Sequence, residues 1–557
     1  MSNDGVAPVK GRLTDTQQRV SVVNHGTAVG VASAIWAISI FLSRVMGLVR
    51  EQIIGRTLGA TRQADLYFAS FTLPDFLNYL LAAGALSIVF IPIFLEHLER
   101  GDDKGGWQAF SVIANFILLI GSAGIVLLMA FARPLTIAIA PGFKDPAEID
   151  TLVRLIRIIL PAQFFHIVGG LLSAALQAQD RHLLPALAPL VYSAGIIAGG
   201  LVGGQLGMGA DGFAWGVLIG SILGPFGLPL LGCLRSGMHW FPLLSLRDKH
   251  LKRYLWLSLP IMLGFSIVVV DEWIIKNQAS YLAGGTLSHL QYARTLMKVP
   301  VGMFGMAIGV ASYPTLSRMI ASGGVADAYA MLCRALRLML TLTFAAQICL
   351  TLAGSEAAYL IWGVFGSRFG VADAKATGTM LVFLCLGLGG WAAQTIIARG
   401  FYALGSTWQP TIIGTIVTIC VLPLYVVLRQ HMGGIGLAVA SSTSILVYVV
   451  LIGWLQHRRF EREIALQGTS LDDRHRVIGT SLRLGLSAII AIGAGLSLRP
   501  LLMQALPRFD LASAVLRAAS LCTLGLILYT ALARILGVGA VSDVWNLLAR
   551  RVKLRTY

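Results

Sequence analysis

The amino-acid sequence predicts an all-α integral membrane protein of about fourteen transmembrane helices, and three observations predict it. Of the 557 residues, 56% are hydrophobic and only 12% are charged, with a mean hydropathy of +0.77. Soluble domains carry about 25% charged residues, and here the deficit runs along the whole chain. The apolar runs are also continuous, whereas strands of membrane barrels alternate apolar and polar residues.

Residues 1–27 are polar and hold Lys10, Arg12 and Arg19. This lead is long for a signal peptide and no cleavage site follows, so the first apolar run reads as a retained helix. Candidate spans fall at 28–49, 65–96 (interrupted near Gly84), 107–132, 152–178, 183–204, 212–234, 255–283, 288–316, 331–353, 374–403, 408–428, 434–455, 480–499 and 512–536. The first six make an N-lobe, 28–234, joined by a linker, 235–254, to a C-lobe of six, 255–455. A loop, 456–479, then leads to spans 13 and 14 within 480–536 and a basic tail, 537–557. Assigning the loops to alternate sides puts most Lys and Arg on the side of the two termini. Several opposite loops (205–210, 284–288) have none. The positive-inside rule then expects both termini to be cytoplasmic and the 133–150 loop periplasmic, and the expected location is the inner membrane. The net charge of +17 is mostly this topological signal, so nucleic acid drops out as a partner and the bilayer takes its place.

The sequence repeats itself. Gln177 to Pro185 parallels Tyr402 to Pro410 at an offset of 225, and Met208-Gly-Ala-Asp-Gly212 parallels Met432-Gly-Gly-Ile-Gly436 at 224. Tyr67 answers Tyr292, and Pro74 and Pro92 answer Pro300 and Pro314. Spans 1–6 thus map onto 7–12. Six is even, so the lobes should share one orientation, related by an axis along the membrane normal, as in alternating-access transporters. Spans 13 and 14 lie outside the repeat.

Nothing in the chain reads as catalytic machinery. It has no G-x-S-x-G, no phosphate loop and no H-E-x-x-H. Its six cysteines (Cys233, Cys333, Cys349, Cys385, Cys420, Cys522) are scattered singly, which indicates neither a disulfide frame nor a metal site. The expectation is a non-enzyme without cofactor or metal.

The informative residues are charges where charge is costly. Span 1 and its exit carry Arg44, Arg50, Glu51 and Arg56, followed by Arg62 and Asp65. Arg44 lies inside the apolar run, where an ionised side chain costs a few kcal/mol or more unless it faces protein or water. Arg50, Arg56 and Arg62 approach the face where the positive-inside rule disfavours them. They read as the cationic wall of a central cavity, since the planar guanidinium grips phosphate oxygens in a bidentate way. The structural alternative is snorkelling anchors, with Glu51 neutralising a neighbour. In span 8, Arg294 stands where the repeat has Ala69; it reads as a further cavity cation, or as an inter-helix salt bridge to an acid such as Glu272. Asp65 opens span 2 and serves either the site or the helix dipole. Gly305 and Gly309 read as helix packing. Asp271 and Glu272, deep in span 7, are a candidate coupling-ion site or the partners of Lys276.

The run Ser43-Arg44…Gly47…Arg50-Glu51…Arg56…Leu58-Gly59-Ala60…Asp65…Leu73-Pro74…Gly84-Ala85…Phe90-Ile-Pro92 resembles the opening of the MurJ (MviN) lipid II flippases, within the multidrug/oligosaccharidyl-lipid/polysaccharide exporter superfamily. Pro185-Ala-Leu-Ala-Pro189, Tyr292-Ala-Arg294…Pro300 and Pro314-Thr-Leu-Ser317 agree as well. The resemblance runs from about residue 36 to 455, densest over 43–92. It implies a fourteen-helix fold whose central cationic cavity grips the head group of an undecaprenyl-pyrophosphate glycolipid, with spans 13 and 14 forming a groove for the lipid tail. Other cell-wall synthesis proteins are implied partners. The family's span 1 arginines fall on Arg44 and Arg50, its aspartate on Asp65 and its span 8 arginine on Arg294. The chain departs from the pattern at Asn78 and Tyr79, where the family has arginines, and at Ala83, where it has glutamate. Three rival readings are a flippase for another polyprenyl-pyrophosphate glycan, a multidrug cation antiporter and a non-transporting envelope scaffold. An antiporter should concentrate carboxylates in its cavity, and a scaffold has no need of costly intramembrane arginines.

Overall fold

The computed structural model describes residues 42–82, 89–263, 267–364, 366, 368–406, 408–466, 473–539 and 541. The polar tail, the start of span 1, the break near Gly84, Ala83 and most of the basic C-terminal tail lie outside these residues. Among those described, every regular element is a helix.

Among the described residues, eight helices are long and apolar enough to cross a bilayer, or nine if the bent pair Val371–Cys385 and Leu388–Ala403 is one span. This count is below the expected fourteen, since spans 1, 2 and 7 lie partly outside the described residues and others, such as span 8, come as shorter helices. Span 2 appears as Arg62–Ser70, Thr72–Ala82 and Ile91–Leu98, and span 8 as Thr286–Pro300, a π-helical segment Val301–Met306, and Ala307–Ala321. Conversely, Trp408–Ala465 is one 58-residue element with a non-helical Gly433 inside it. At ~1.5 Å per residue it is far longer than a bilayer is thick, so it is two spans meeting at Gly433.

The repeat is written into the backbone. Helices begin at Asp103 and Val325, Pro146 and Val371, Ala162 and Leu388, and Leu183 and Trp408, pairs 222 to 226 residues apart. Breaks recur too: Phe131 (φ −95°, ψ 17°) ends one helix and Ala353 (φ −116°, ψ 17°) kinks its counterpart, 222 residues on. Gly209 (φ 56°, ψ −121°) and Gly433 (φ 59°, ψ −132°) turn the chain in the same way, 224 apart. This conformation suits a residue without Cβ. Asp180 (φ 58°) answers Gly405 (φ 72°) at 225.

The two halves share one continuous apolar core. The C-terminal pair Asp473–Ala505 and Leu511–Ile535 instead packs on Val325–Ala358 through a separate core that includes Ile348, Leu352, Leu484, Leu521 and Tyr529. Buried Glu356 pins the pair with charge, taking Arg499 Nη2 at 3.2 Å and Arg517 Nε at 3.6 Å. Gly305 and Gly309 pack against Ala392, Ile396 and Arg399 of Leu388–Ala403, as expected of a small-residue helix face.

Candidate functional site: a charged cavity between the halves

A cavity of about 220 Å³ lies between the halves. The helix over 42–58 contributes Arg50 and Glu51, Thr72–Ala82 contributes Asp75, and Ile267–Ala279 contributes Glu272 and Lys276; Tyr67, Tyr192 and Gln291 add polar edges. Each charge has a partner. Arg50 Nη2 donates to Glu51 Oε1 at 2.9 Å, and Lys276 Nζ reaches across to Asp75 Oδ2 at 3.4 Å. Glu272 takes the Lys298 ammonium in close contact and Arg294 Nη1 at 3.6 Å. Glu51 Oε2 is buried with no hydrogen-bond partner among the described residues.

The sequence led us to expect a cationic wall; the lining is instead mixed, with one more carboxylate than cations, and Lys298 and Arg294 reach Glu272 from outside it. Two cations and three carboxylates line the cavity. Glu51 and Glu272 are legible in the sequence as partners of arginines, and the fold adds the carboxylate of Asp75 to them. Asp75, Lys276, Gln291 and Tyr192 were not singled out as lining residues. Asp75 and Lys276 lie 201 positions apart, and no local pattern connects them.

Arg294 is the clearest correction. It is 3% exposed and in close contact with Asp271, with Glu272 as a second acid. Asp271 also takes the Tyr425 hydroxyl in close contact and Ser441 Oγ at 3.0 Å. Arg294 therefore sits in a saturated cluster inside the C-terminal half, as the salt-bridge alternative held, and does not front the cavity. Removing either partner of such a buried pair would strand a charge in low dielectric. The pairing with Lys276 considered for Asp271 and Glu272 is also replaced, since Lys276 bonds Asp75. The coupling-ion reading of Asp271 meets an obstacle, because protein donors already occupy its oxygens. Among the described residues no group of three or more His, Cys, Asp or Glu could hold a metal.

Arg44 is exposed and its guanidinium lies over Gly302 of the π-helical segment. It has no ion-pair or hydrogen-bond partner among the described residues and does not line the cavity. Arg56 is exposed and likewise outside the lining.

Asp65 is not a cavity residue either. It is buried and accepts from the Gly285 and Ser288 N–H groups, both at 2.7 Å, and from Ser288 Oγ at 2.6 Å. Gly285 is the N-cap position of Thr286–Pro300, so a carboxylate from one half caps a helix of the other and faces the positive end of its dipole. Neighbouring contacts complete a seal. The Tyr292 hydroxyl donates to the Gly59 carbonyl at 2.8 Å and Trp362 Nε1 to the Glu51 carbonyl at 3.0 Å. Arg62 holds Glu148 with a bidentate fork at 2.8 and 3.0 Å and the Leu282 carbonyl at 3.3 Å. The Gly142 N–H donates to Ser280 Oγ at 3.0 Å. Gly285 has φ 88°, and a Cβ there would overlap the Ala60 carbonyl, so the halves meet backbone to backbone. One end of the cavity is thus closed by hydrogen bonds.

The family model for the lipid II flippase MurJ matches residues 54–520. The chain belongs to that family. Among curated relatives, the lipid II flippase MurJ of Burkholderia cenocepacia is 30% identical over 74% of this chain and 77% of its own length. The probable lipid II flippase MurJ of Rhizobium tropici is 26% identical over 73% and 74%. Among solved structures, a lipid II flippase MurJ in an inward closed conformation superposes with a TM-score of 0.70 at 21% identity, covering 90% of this chain and 98% of that one. An inward-facing multidrug resistance MATE transporter of the MOP superfamily reaches 0.62 at 14% identity, covering 79% and 100%. The fold is that of these transporters, and the chain is a multi-pass membrane protein.

Proposed function

We propose that this protein is a lipid II flippase, moving the head group of an undecaprenyl-pyrophosphate glycolipid from the cytoplasmic to the periplasmic leaflet by alternating access. The family match over 54–520 carries this reading. A transporter of this family carries cargo and transforms nothing, which agrees with the lack of catalytic motifs. We read the two halves as lobes related by an axis along the membrane normal; the shared helix starts and breaks support this. On the inner-membrane topology expected from the positive-inside rule, the sealed end is periplasmic and both termini are cytoplasmic. The contacts of Asp65, Tyr292 and Arg62 would then break as the outer side opens.

A cavity whose cations are already paired suits a cargo that must leave again. Arg50 rests on Glu51 when empty, and an entering pyrophosphate would compete for its guanidinium. Arg44, with a free fork among the described residues, would meet the phosphates first. Depleting the protein should accumulate lipid II on the cytoplasmic leaflet. Arg44→Ala and Arg50→Ala, at normal protein levels, should fail to flip it. Wild-type flipping by both variants would end the reading of these arginines, while accumulation of another precursor would end lipid II as the cargo.

One observation favours a second reading, a flippase for a different polyprenyl-pyrophosphate glycan. Tyr79, at a position where the family has arginine, stacks edge-on against Trp273 at 6.4 Å, and Phe76 packs on the same ring at 5.4 Å. An aromatic platform in place of a cation favours sugar faces over phosphate. The identity of the accumulated precursor separates the two.

A further inference from the structure

A second cavity, of about 480 Å³, shares no lining residue with the first. The helix Ala132–Ile139 contributes Arg133, and Pro146–Ile159 contributes Asp150, Arg154 and Arg157. The helix Ala210–Ser221 contributes Trp215 and Leu218. Asp150, Arg154 and Arg157 fall on one face of their helix at spacings of four and three. Arg133 pairs closely with Asp150, and Arg154 pairs with Asp211 at 3.0 Å. Arg157 is exposed and has no ion-pair or hydrogen-bond partner among the described residues. Three guanidiniums thus meet two carboxylates, which leaves the groove with an excess positive charge.

The surroundings decide which anion fits. Pro146–Ala178 is long and apolar enough to cross a bilayer, and both exposed arginines lie within its first four turns. An arginine that faces lipid there costs several kcal/mol unless it reaches phosphate or water. Trp215 is 46% exposed beside the groove, as expected of an indole at headgroup depth. Below it Ile219, Ile222 and Leu223 present an exposed apolar track. A soluble anion would use the arginines and leave that track bare. A diacyl lipid with an anionic phosphodiester uses both.

We propose that this groove binds an anionic phospholipid of the bilayer, with its phosphodiester on Arg154 and Arg157 and an acyl chain along the track below Trp215. The groove lies at the sealed end, since the same Pro146–Ile159 helix carries Glu148, which Arg62 holds in the seal.

The test is native mass spectrometry of the full chain in detergent micelles, titrated with phosphatidylglycerol or with phosphatidylcholine of the same acyl chains. The wild type should retain phosphatidylglycerol preferentially. Arg157→Gln should weaken that binding about fivefold and Arg154→Gln/Arg157→Gln further, towards the phosphatidylcholine level. Arg157 has no ion-pair or hydrogen-bond partner among the described residues, so the single variant should keep the wild-type melting temperature and report binding alone. Excess inorganic phosphate should not displace the lipid. Equal retention of the two lipids by wild type, or an unchanged preference in Arg157→Gln and the double variant, overturns the proposal. Displacement by inorganic phosphate overturns it as well, in favour of a soluble anion.

Discussion

The two halves of this protein share a skeleton and differ in chemistry. Helices start and break at matching positions 222 to 226 residues apart, and first-turn acids such as Glu148 and Asp373 recur with them, yet the charges deep in spans 1, 2, 7 and 8 are not duplicated. At the offset of 225 that relates Tyr67 to Tyr292, Arg44 and Arg50 correspond to Val269 and Ile275, while Asp271 corresponds to Met46 and Arg294 to Ala69. The N-terminal half offers arginines where the C-terminal half offers aliphatics, and the C-terminal half holds an acid and its arginine where the other has Met and Ala. Even the matched tyrosines diverge: Tyr292 bonds the Gly59 carbonyl, whereas Tyr67 packs edge-on against Phe71 at 5.2 Å. Backbone geometry survives duplication because every helix pair needs its turn. Charge is free to diverge because a ligand passing between two lobes meets each from a different side.

This contrast can be broken experimentally, and the largest effect is expected at the charge cluster. Asp271→Ala strands Arg294 in the core and should cost about 3–5 kcal/mol, seen as loss of folded protein in a thermal melt. Met46→Ala at the equivalent position should be far milder, and equal losses would mean that the cluster is not what distinguishes the halves. Asp65→Ala removes three hydrogen bonds across the seal and should cost about 2–3 kcal/mol. Cysteines placed at 59–62 should then label faster, whereas an unchanged labelling rate would show that the seal does not depend on this cap. Arg50→Lys keeps charge and loses the fork, so its flipping rate should lie between those of wild type and Arg50→Ala.

Smaller effects test the shared skeleton. Gly209→Ala and Gly433→Ala should each cost about 1–3 kcal/mol, because both glycines hold a backbone that L residues rarely adopt. Gly209→Ala should be the costlier, since its Cβ would also strike the Gln63 side chain while that of Gly433 meets nothing within 4 Å. The mildest change runs the other way. Asp180→Gly gives the N-terminal turn the residue its counterpart has, and should raise stability by up to about 1 kcal/mol. A loss on melting would mean that Asp180 does something Gly405 does not.

By itself the sequence determined what depends on composition and local order. Continuous apolar runs in a chain with few charges dictate membrane helices, and the constant offset between Gln177–Pro185 and Tyr402–Pro410 dictates a duplicated helix pattern. The motif from Arg44 to Pro92 was enough to mark the family. Only the tertiary structure decided which charges face each other. Arg294 was legible as an anomaly, but its cluster with Asp271, Tyr425 and Ser441 joins positions up to 170 residues apart. Asp65 was legible as a helix-start carboxylate, yet the helix it caps lies 220 residues further on. The physical reason is the same in both cases. Hydropathy acts residue by residue along a chain, whereas the cost of a buried charge is set by whichever partners folding brings within a few ångströms of it.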